Sequence, residues 1–352
     1  MQFGEVIIGW YHKNKRDLPW RRTSDPYKIW LSEIILQQTR VDQGLAYYER
    51  FVSKYPKIKN LAAAKEDDIL KLWQGLGYYS RARNLHHAAK DVMSRFKGKF
   101  PVEYDDIRSL KGIGDYTASA IASFAYHQKY AVVDGNVFRV LSRYLGISTP
   151  VNSVYAKKEF TDAALLLIGD HSPHDFNQAI MEFGALQCKP ASPSCGSCPL
   201  NGSCFAFSKN TVGSLPVKGK KMVVRKRYFN YLCIHHGDRV ELRKRTGKDI
   251  WKNLYDFPMI ETGKRISTES LLQLEDWKKH FSKNKVHLFS ESKTIKHQLS
   301  HQTIFAKFFG IRVSSAVSID GSKPVKKKSL NKFAVPRLIE NYLNSAEGNL
   351  NP

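Results

Sequence analysis

The chain has 352 residues, which is long for one hydrophobic core and suits two domains, and its 42% hydrophobic and 25% charged residues are ordinary for a globular protein. Its formal net charge of +24 favours a polyanionic partner such as nucleic acid over a membrane surface, with a solubility feature as the alternative. We recognise neither a signal peptide nor an apolar run of membrane-spanning length, so we expect neither a secreted disulfide scaffold nor a membrane protein.

The first two-thirds of the chain is predicted to be helical, because apolar residues recur there at helical spacing and glycine and proline punctuate the segments. The predicted helices are Ile29–Val41, Asp67–Trp73, Tyr116–Tyr126, Phe138–Tyr144 and Phe176–Leu186. We recognise no strand-rich stretch in this part, and we predict one helical domain over residues 1–208.

The first of these helices contains a carboxylate, Glu33, among apolar neighbours that include Trp30, Ile34 and Leu36. Burial of an unpaired carboxylate costs free energy and raises its pKa toward neutrality, which suits a general acid. A glutamate satisfied by an arginine, or a helix turned to solvent at this position, is the alternative. The residues alone leave these interpretations equal.

Two glycines two residues apart, Gly112 and Gly114, separate predicted helical segments and follow Lys111. Glycine allows a close backbone approach, and the free amides at the start of the next helix suit a phosphate. A plain corner between two helices would use the same residues. The basic charge of the chain makes the two interpretations equal.

A second candidate carboxylate, Asp134, lies in the sequence Asp134-Gly135-Asn136 between an apolar run and the predicted helix from Val137. Aspartate is a preferred residue at the position that caps a helix amino terminus. Taken alone, the pattern therefore indicates a capping residue rather than a catalytic one.

Four cysteines follow one another with the spacing C-x6-C-x2-C-x5-C. They are Cys188, Cys195, Cys198 and Cys204. Four thiolates in one short loop can hold either a zinc ion or a [4Fe–4S] cluster. Common zinc modules pair two C-x2-C units, and only one such unit is present, which favours the iron–sulfur cluster.

The composition changes at residue 209, where a basic segment with Gly213, Pro216 and Gly219 predicts a linker over residues 209–227. This linker could lie along phosphates or simply be a solvated connector. After it we predict strands, helices and a Gly237-Asp238 hairpin turn, hence an α+β domain over residues 228–345 and a disordered tail over 346–352. The predicted elements are strands Tyr228–His236, Arg239–Arg245 and Thr303–Val313 and helices Ser267–Phe281 and Val335–Leu343.

In this order, the elements resemble those of the endonuclease III family of helix–hairpin–helix DNA glycosylases as far as Leu215, and most closely its MutY-type, adenine-specific branch. The motifs that fit this branch are Trp30–Glu33, Leu36–Thr39, Gly75–Tyr79, Ala82–Leu85 and Asp134–Val137. The resemblance implies a mainly α helix–hairpin–helix glycosylase fold with an iron–sulfur cluster loop, plus a smaller C-terminal α+β nudix-like domain. It also implies a [4Fe–4S] cofactor on the four cysteines, with a structural role.

The resemblance gives the two carboxylates unequal roles. Glu33 would protonate adenine and then assist water, and Asp134 would stabilise the cationic sugar, directly or as a transient adduct. Tyr116 and Asn136 match positions that orient these groups. Family members that also cut the strand have a lysine where this chain has Tyr116, so we expect a monofunctional enzyme. Some adenine glycosylases have a lysine where this chain has Phe138, so we also expect weak imine formation.

Further positions match residues that contact the flipped base or the DNA. The matched positions are Arg16, Trp20 and Leu36 in the adenine pocket, Gln38 and Tyr78 as wedges, Thr39 at the opposite guanine, and Lys111, Gly112 and Gly114 at the backbone. For Tyr78, core packing is the alternative that the residues alone favour.

The C-terminal domain resembles a nudix-like module without the acidic metal-binding box, so we expect no pyrophosphatase activity. Ser300 and His301 match a loop that recognises 8-oxoguanine, in which Leu299 replaces the usual phenylalanine. Without the family resemblance, Ser300 and His301 would be read as strand surface.

The resemblance implies a base-excision repair enzyme that hydrolyses the N-glycosidic bond of adenine opposite 8-oxoguanine or guanine in duplex DNA. We expect a monomer in the cytoplasm, associated with the nucleoid if the source is bacterial, without a membrane partner. The alternatives are a bifunctional pyrimidine glycosylase and lyase, against which Tyr116 argues, and a non-catalytic DNA-binding iron–sulfur protein, against which Glu33 and Asp134 argue.

Overall fold

The computed structural model describes residues 3–219, 224–282, 285–315, 317, 319 and 321–345. The chain divides into two compact units: unit 1 comprises Met1–Ala63 and Asn84–Lys220, and unit 2 comprises Ala64–Arg83 and Lys221–Pro352. The domain boundaries read from the sequence stay a prediction. Residues 220–223 of the predicted linker and the whole predicted tail lie outside the described residues.

The described part of unit 1 is helical, with short turns between its helices. Its helices are α1 Phe3–Asn14, α2 Pro26–Leu36, α3 Val41–Lys54, α4 Ile58–Ala63, α6 Ser80–Arg95, which begins in unit 2, α7 Tyr104–Ser109, α8 Asp115–Tyr126, α9 Gly135–Leu145, α10 Ala156–Ile168, α11 Pro173–Leu186 and α12 Phe205–Ser208. Helix α5, Glu66–Trp73, belongs to unit 2. One core of unit 1 is formed by fully buried side chains that include Ile7, Leu141, Phe160 and Phe176.

Helix α2 begins at Pro26, after Asp25 accepts a hydrogen bond from the Tyr27 amide, and the helix ends at Leu36. The single helix predicted for Ile29–Val41 is wrong, because the chain leaves the helix at residue 37 and α3 starts only at Val41. The physical reason is a backbone reversal at Gln38, whose φ is +55°. This reversal places residues 37–39 at the carboxyl end of α2.

Helices α7 and α8 are joined by the turn that contains the two glycines. Gly112 has a φ of +81°, and a Cβ atom there would lie 2.6 Å from the Asn84 Cβ, so this turn requires glycine. Gly114 directly precedes α8 with extended backbone, and a Cβ atom there would meet no other group within 4 Å. The arrangement is a helix–hairpin–helix whose second helix begins in open space.

Unit 2 is built on a mixed β-sheet in which β1 pairs in parallel with β7 at its centre. Its strands are β1 Arg225–His236, β2 Arg239–Lys244, β3 Tyr255–Asp256, β4 Met259–Thr262, β5 Val286–Glu291, β6 Ile295–Gln298, β7 Gln302–Val313 and β8 Ser322–Lys326. The hairpin predicted at Gly237-Asp238 is confirmed, since β1 and β2 pair antiparallel around it.

Helices cover both faces of this sheet. Neighbouring residues of β7 point to opposite sides, so its side chains contact helices on each face. Phe309 packs in a cluster with α13 Thr268–Gln273 and α14 Glu275–Phe281. Phe308 stacks on Tyr342 of α15 Arg337–Leu343, with ring centroids 3.8 Å apart. The single helix predicted for residues 267–281 is wrong, since the chain is extended at Leu274 between α13 and α14.

The segment Ala64–Arg83 makes polar contacts within unit 2. Lys244 donates to Asp67 at 2.7 Å, and Gln74 donates to Glu340 at 2.9 Å. Helix α5 is therefore tied by hydrogen bonds to strand β2 and helix α15. Among the described residues, we find no helix with the length and apolarity needed to cross a bilayer.

Candidate active site

A cavity of about 540 Å³ in unit 1 lies among α2, α8, α9 and α11. It is lined by residues that the sequence analysis selected separately, from both carboxylate motifs and from the predicted base pocket. These residues are Arg16, Trp20, Glu33, Leu36, Gln38, Thr39, Tyr116, Asp134 and Asn136. Its volume lies in the range of small-molecule pockets.

Glu33 is only 8% exposed, on the buried face of α2. This burial raises its pKa to about 7, and the negative charge of Asp134 acts in the same direction. A hydrogen bond from Tyr116 and the positive charge of Arg21 oppose the increase. Glu33 is therefore balanced between its protonated and ionised forms near neutral pH, as a general acid requires.

Tyr116, in the first turn of α8, is the hydrogen-bond donor to Glu33. Burial and then the charges of Glu33 and Asp134 raise the pKa of the phenol well above its ordinary value. The hydroxyl therefore keeps its proton and orients the Glu33 carboxyl group.

Asp134 caps α9, as the sequence pattern indicated, and it also lines the cavity. Its Oδ1 accepts from the amides of Asn136 and Val137 at 2.8 Å each, and its Oδ2 accepts from the Asn136 side chain at 2.8 Å. Burial raises the pKa of Asp134 above its ordinary value, and these donors and Arg139 oppose that increase only in part. Donors on both oxygens favour an ionised carboxylate beside Glu33.

Arg139 fixes Asn136 in turn. Its Nη2 donates to the Asn136 side-chain oxygen at 2.8 Å and to the Gly184 carbonyl at 2.7 Å. A Cβ at Gly184 would lie 2.6 Å from the Asn136 Cβ, so α11 and α9 meet closely here. Asn136 is thus held in one orientation toward Asp134.

The sequence analysis missed Glu182, which lines the same cavity with 1% of its side chain exposed. Its carboxylate accepts from Arg16 at 2.9 and 2.6 Å and from Arg21 at 3.0 and 2.8 Å. Burial alone would raise the pKa of Glu182, but these hydrogen bonds and the charge of Arg21 lower it to about 2. We call Arg16, Arg21 and Glu182 the arginine clamp.

A signal for this wall of the cavity was present in the sequence. Gln178, Met181, Glu182 and Ala185 recur at the spacing of one helical face of α11, and all four line the cavity. Gln178 also accepts from Arg21 at 3.1 Å. The acidic residue within the predicted helix Phe176–Leu186 has apolar neighbours, as Glu33 does, and could have been selected on the same ground.

Both predicted wedge residues have unusual backbones. Gln38 has a φ of +55° and Tyr78 a φ of +47°, values that side-chain-bearing residues adopt rarely. Gln38 lines the cavity of unit 1, whereas Tyr78 belongs to unit 2. Tyr78 is 43% exposed, so the core-packing alternative is wrong. Strain of this kind is a feature of functional positions.

The remaining predicted DNA contacts lie outside this cavity. Lys111, Gly112 and Gly114 are all exposed at the hairpin of unit 1. Ser300 and His301 are exposed in the turn between β6 and β7 of unit 2, with the Ser300 Oγ 3.1 Å from the His301 Nδ1. The exposure of these groups leaves them accessible to a large partner.

The four clustered cysteines are all reduced and line one small cavity of unit 1. Arg143 donates to the Cys188 Sγ at 3.4 Å and to the Lys189 carbonyl at 2.7 Å, which fixes the start of the loop. In the part of the chain that the structure describes, no three or more His, Cys, Asp or Glu side chains are arranged to hold a metal ion. The four thiols nevertheless line one cavity.

Two family models match the chain. Residues 31–162 match the HhH-GPD superfamily of base excision DNA repair proteins, and residues 230–345 match the NUDIX domain. The expected helix–hairpin–helix glycosylase fold with a C-terminal nudix-like domain is therefore confirmed.

The chain is similar to known glycosylases along most of its length. It is 37% identical over 349 residues to the adenine DNA glycosylase of Buchnera aphidicola subsp. Schizaphis graminum (strain Sg), covering 97% of each chain. It is 41% identical over 213 residues to the adenine DNA glycosylase of Homo sapiens, covering 58% of this chain and 39% of the human one. The solved structure of a thermostable thymine-DNA glycosylase aligns with a TM-score of 0.55 and 32% identity, over 59% of this chain and 95% of that chain.

Proposed function

The chain belongs to the adenine DNA glycosylases, and from this membership we propose that it hydrolyses the N-glycosidic bond of adenine mispaired with 8-oxoguanine or guanine in duplex DNA. The observation that carries the proposal is the pairing of Glu33 and Asp134 in one cavity with different hydrogen-bond environments. Removal of a purine needs one acid and one anion, and these two carboxyl groups can supply both.

The chemistry follows from the two environments. The target nucleotide is rotated out of the duplex into the cavity, at a cost of about a few kcal/mol. Glu33, oriented by Tyr116, gives its proton to a ring nitrogen of adenine and makes the base a better leaving group. Asp134 stabilises the positive charge that develops on the sugar, and Glu33 then receives a proton from the attacking water.

The first test is release of adenine without strand cleavage. We expect single-turnover release of adenine from a duplex with an A:8-oxoguanine pair, and no efficient cutting of the abasic product, because Tyr116 cannot form a Schiff base. Borohydride trapping measures the imine directly. Strong covalent capture, or release of a damaged pyrimidine instead of adenine, would support the bifunctional alternative and contradict this proposal.

The rate of adenine release should depend on pH through Glu33. The acid must be protonated and its pKa is about 7, so we expect a constant single-turnover rate just below pH 7, down to the pH at which Asp134 is protonated and can no longer stabilise the sugar cation. Above pH 7 the rate should fall about tenfold per pH unit, as the protonated fraction falls. A rate that stays constant to pH 9 would remove Glu33 from the role of acid.

We propose further that the four cysteines hold a [4Fe–4S] cluster. Four reduced thiols around one cavity supply the ligand set of such a cluster. Common zinc modules pair two C-x2-C units, whereas this loop has one such unit, Cys195 and Cys198, which favours the cluster over a single zinc ion. When bound, the cluster would cross-link the loop 188–204, whose prolines and short length leave it little core of its own.

Replacement of one ligand tests the cluster. We expect Cys198→Ser to lose the brown cluster absorbance and its iron, and to unfold at a lower temperature, because the loop loses its cross-link. Cys233→Ala is the matched control, since Cys233 is buried in β1 and lies outside the cysteine cluster. An unchanged spectrum and iron content in Cys198→Ser would show that the ligand set is wrong.

The DNA contacts complete the proposal. The amides at the start of α8, with Lys111 and Gly112, would bind a backbone phosphate beside the exposed Gly114. Ser300 and His301 carry accessible hydrogen-bonding groups for the edge of the opposite guanine. Thr39 and the strained Gln38 lie at the cavity, where they would contact the gap left by the rotated base.

A further inference from the structure

A second basic cavity lies within unit 2 and has a volume of about 660 Å³. Five cationic side chains line it, together with one carboxylate. The cations are Arg83, Arg225, Arg227, Lys248 and Lys252, and the carboxylate is Asp249. The wall also includes His301 and Gln302, which are not catalytic in the mechanism above.

The charge of Asp249 is offset by Arg227, within the cavity wall, and by Arg245. It accepts from Arg227 at 3.1 Å and from the Ile250 amide at 2.6 Å, and it forms an ion pair with Arg245. Arg227 is satisfied further by Glu261, at 2.8 and 2.7 Å. Asp249 and Arg227 thus belong to a closed network of their own.

The other four cations form no ion pair of this kind, although the negative charge of Glu66 acts on Arg83. In the described part of the chain, Arg83, Arg225, Lys248 and Lys252 form no ion pair with a carboxylate. The Arg83 guanidinium donates to the Lys252 carbonyl at 2.8 Å, which fixes its position. Burial lowers the pKa of Arg83, because its charge is partly removed from water.

Gln302 also lines this cavity, at the start of β7. Gln302 is only 4% exposed, and its side-chain Nε2 has no hydrogen-bond partner among the described residues. Gln302 starts β7 beside Arg225, and its carbonyl accepts from the Leu299 amide at 2.9 Å. The side-chain nitrogen is buried, so the cations rather than Gln302 provide the groups that are open to a ligand in the cavity.

We propose that this cavity is a phosphate site of unit 2 and that it binds a backbone phosphate of the duplex substrate. The four cations without an ion-pair partner make the cavity positive, and Arg and Lys side chains form strong charge-assisted hydrogen bonds with phosphate oxygens. We assign the phosphate to duplex DNA, because His301 lies in the wall of the cavity and the proposed function brings a duplex to it. The site therefore rests on that proposed function. The contact is independent of base sequence.

The salt dependence of DNA binding tests the site. We expect the double variant Lys248→Ala/Lys252→Ala to bind mispaired and fully matched duplexes more weakly by similar factors. The slope of log binding constant against log salt should become shallower by about 1, the loss expected for one phosphate contact. The matched control is Lys278→Ala/Lys279→Ala, which removes two exposed lysines of α14 outside the cavity. Equal slopes for wild type and the first variant would overturn the proposal.

Two further measurements distinguish duplex DNA from a free nucleotide as the ligand, and the phosphate site from the proposed function. Titration with deoxyguanosine triphosphate measures free nucleotide binding: tight binding that is lost in Lys248→Ala/Lys252→Ala would overturn duplex DNA as the source. The matched duplex contains no mispaired adenine, so its salt slope is measured whether or not the protein releases adenine. Failure of adenine release with a shallower variant slope would therefore contradict the proposed function alone.

Discussion

The variant Glu33→Gln is expected to bind the A:8-oxoguanine duplex and to release no measurable adenine. Glutamine has nearly the same shape and can still accept a hydrogen bond from Tyr116, but it has no proton to transfer to the base. Loss of a general acid costs about 10²–10⁴-fold in rate, and loss of the same group as base for water should bring the effect to the upper part of this range. Single-turnover adenine release and fluorescence-anisotropy binding are the two measurements.

Glu159→Gln provides the control for this variant. Glu159 is an exposed carboxylate of α10, so the change removes the same negative charge without touching the cavity. It should release adenine at the wild-type rate. Normal turnover by Glu33→Gln would refute the assignment of the acid, and equal losses in both variants would point to a general effect of charge rather than to proton transfer.

The arginine clamp gives the second large effect. We expect Glu182→Gln to lower the free energy of unfolding by about 3–5 kcal/mol, because Arg16 and Arg21 lose the buried carboxylate that accepts their hydrogen bonds. Adenine release should also fall, since these arginines line the cavity. Chemical denaturation and single-turnover kinetics measure the two losses.

The clamp should also act on the acid at a distance. Arg21 already opposes the increase in the pKa of Glu33, and without Glu182 its positive charge is no longer neutralised. The pH above which adenine release falls should therefore be lower in Glu182→Gln than in wild type. A purely structural role would reduce the rate without moving this pH, and Glu159→Gln should move neither quantity.

The pH dependence of stability follows from the same carboxylate. The pKa of Glu182 is lowered from its ordinary 4.5 to about 2, so its contribution to stability is complete above pH 4.5 and is lost as pH falls toward 2. Wild type should therefore lose more stability between pH 5 and pH 3 than Glu182→Gln does. Parallel stability curves for the two proteins over this interval would contradict the low pKa.

The sequence predicted the chemistry of the cavity better than its walls. Glu33 could be recognised because a carboxylate among apolar helical residues is conspicuous in any window of the chain. Glu182 also lies among apolar helical residues, but its partner Arg16 is 166 residues away in the sequence. A local sequence pattern cannot reveal a contact between residues so far apart. The local pattern correctly indicated that Asp134 is a cap, whereas its pairing with Glu33 came from the family resemblance and not from any local pattern.

The errors in the predicted helices and strands have local causes. The apolar spacing of Ile29–Val41 continues across a reversal that depends on the backbone of Gln38, which composition does not reveal. The strand β5 was not predicted because most of its side chains are exposed, so an apolar alternation is weak there. The strand β7 was predicted nearly to its ends, since its mostly buried pattern is rich in β-branched and aromatic residues.

The membership of residues 64–83 in unit 2 has a consequence for the order of events on the ribosome. Asp67 is synthesised 177 residues before Lys244, its hydrogen-bond partner. At about 5–20 residues per second, this segment waits roughly 9–35 s for that partner to emerge. The nascent chain thus carries an unfinished piece of unit 2 while residues 84–220 of unit 1 are synthesised, a period in which chaperones and proteases have access to it.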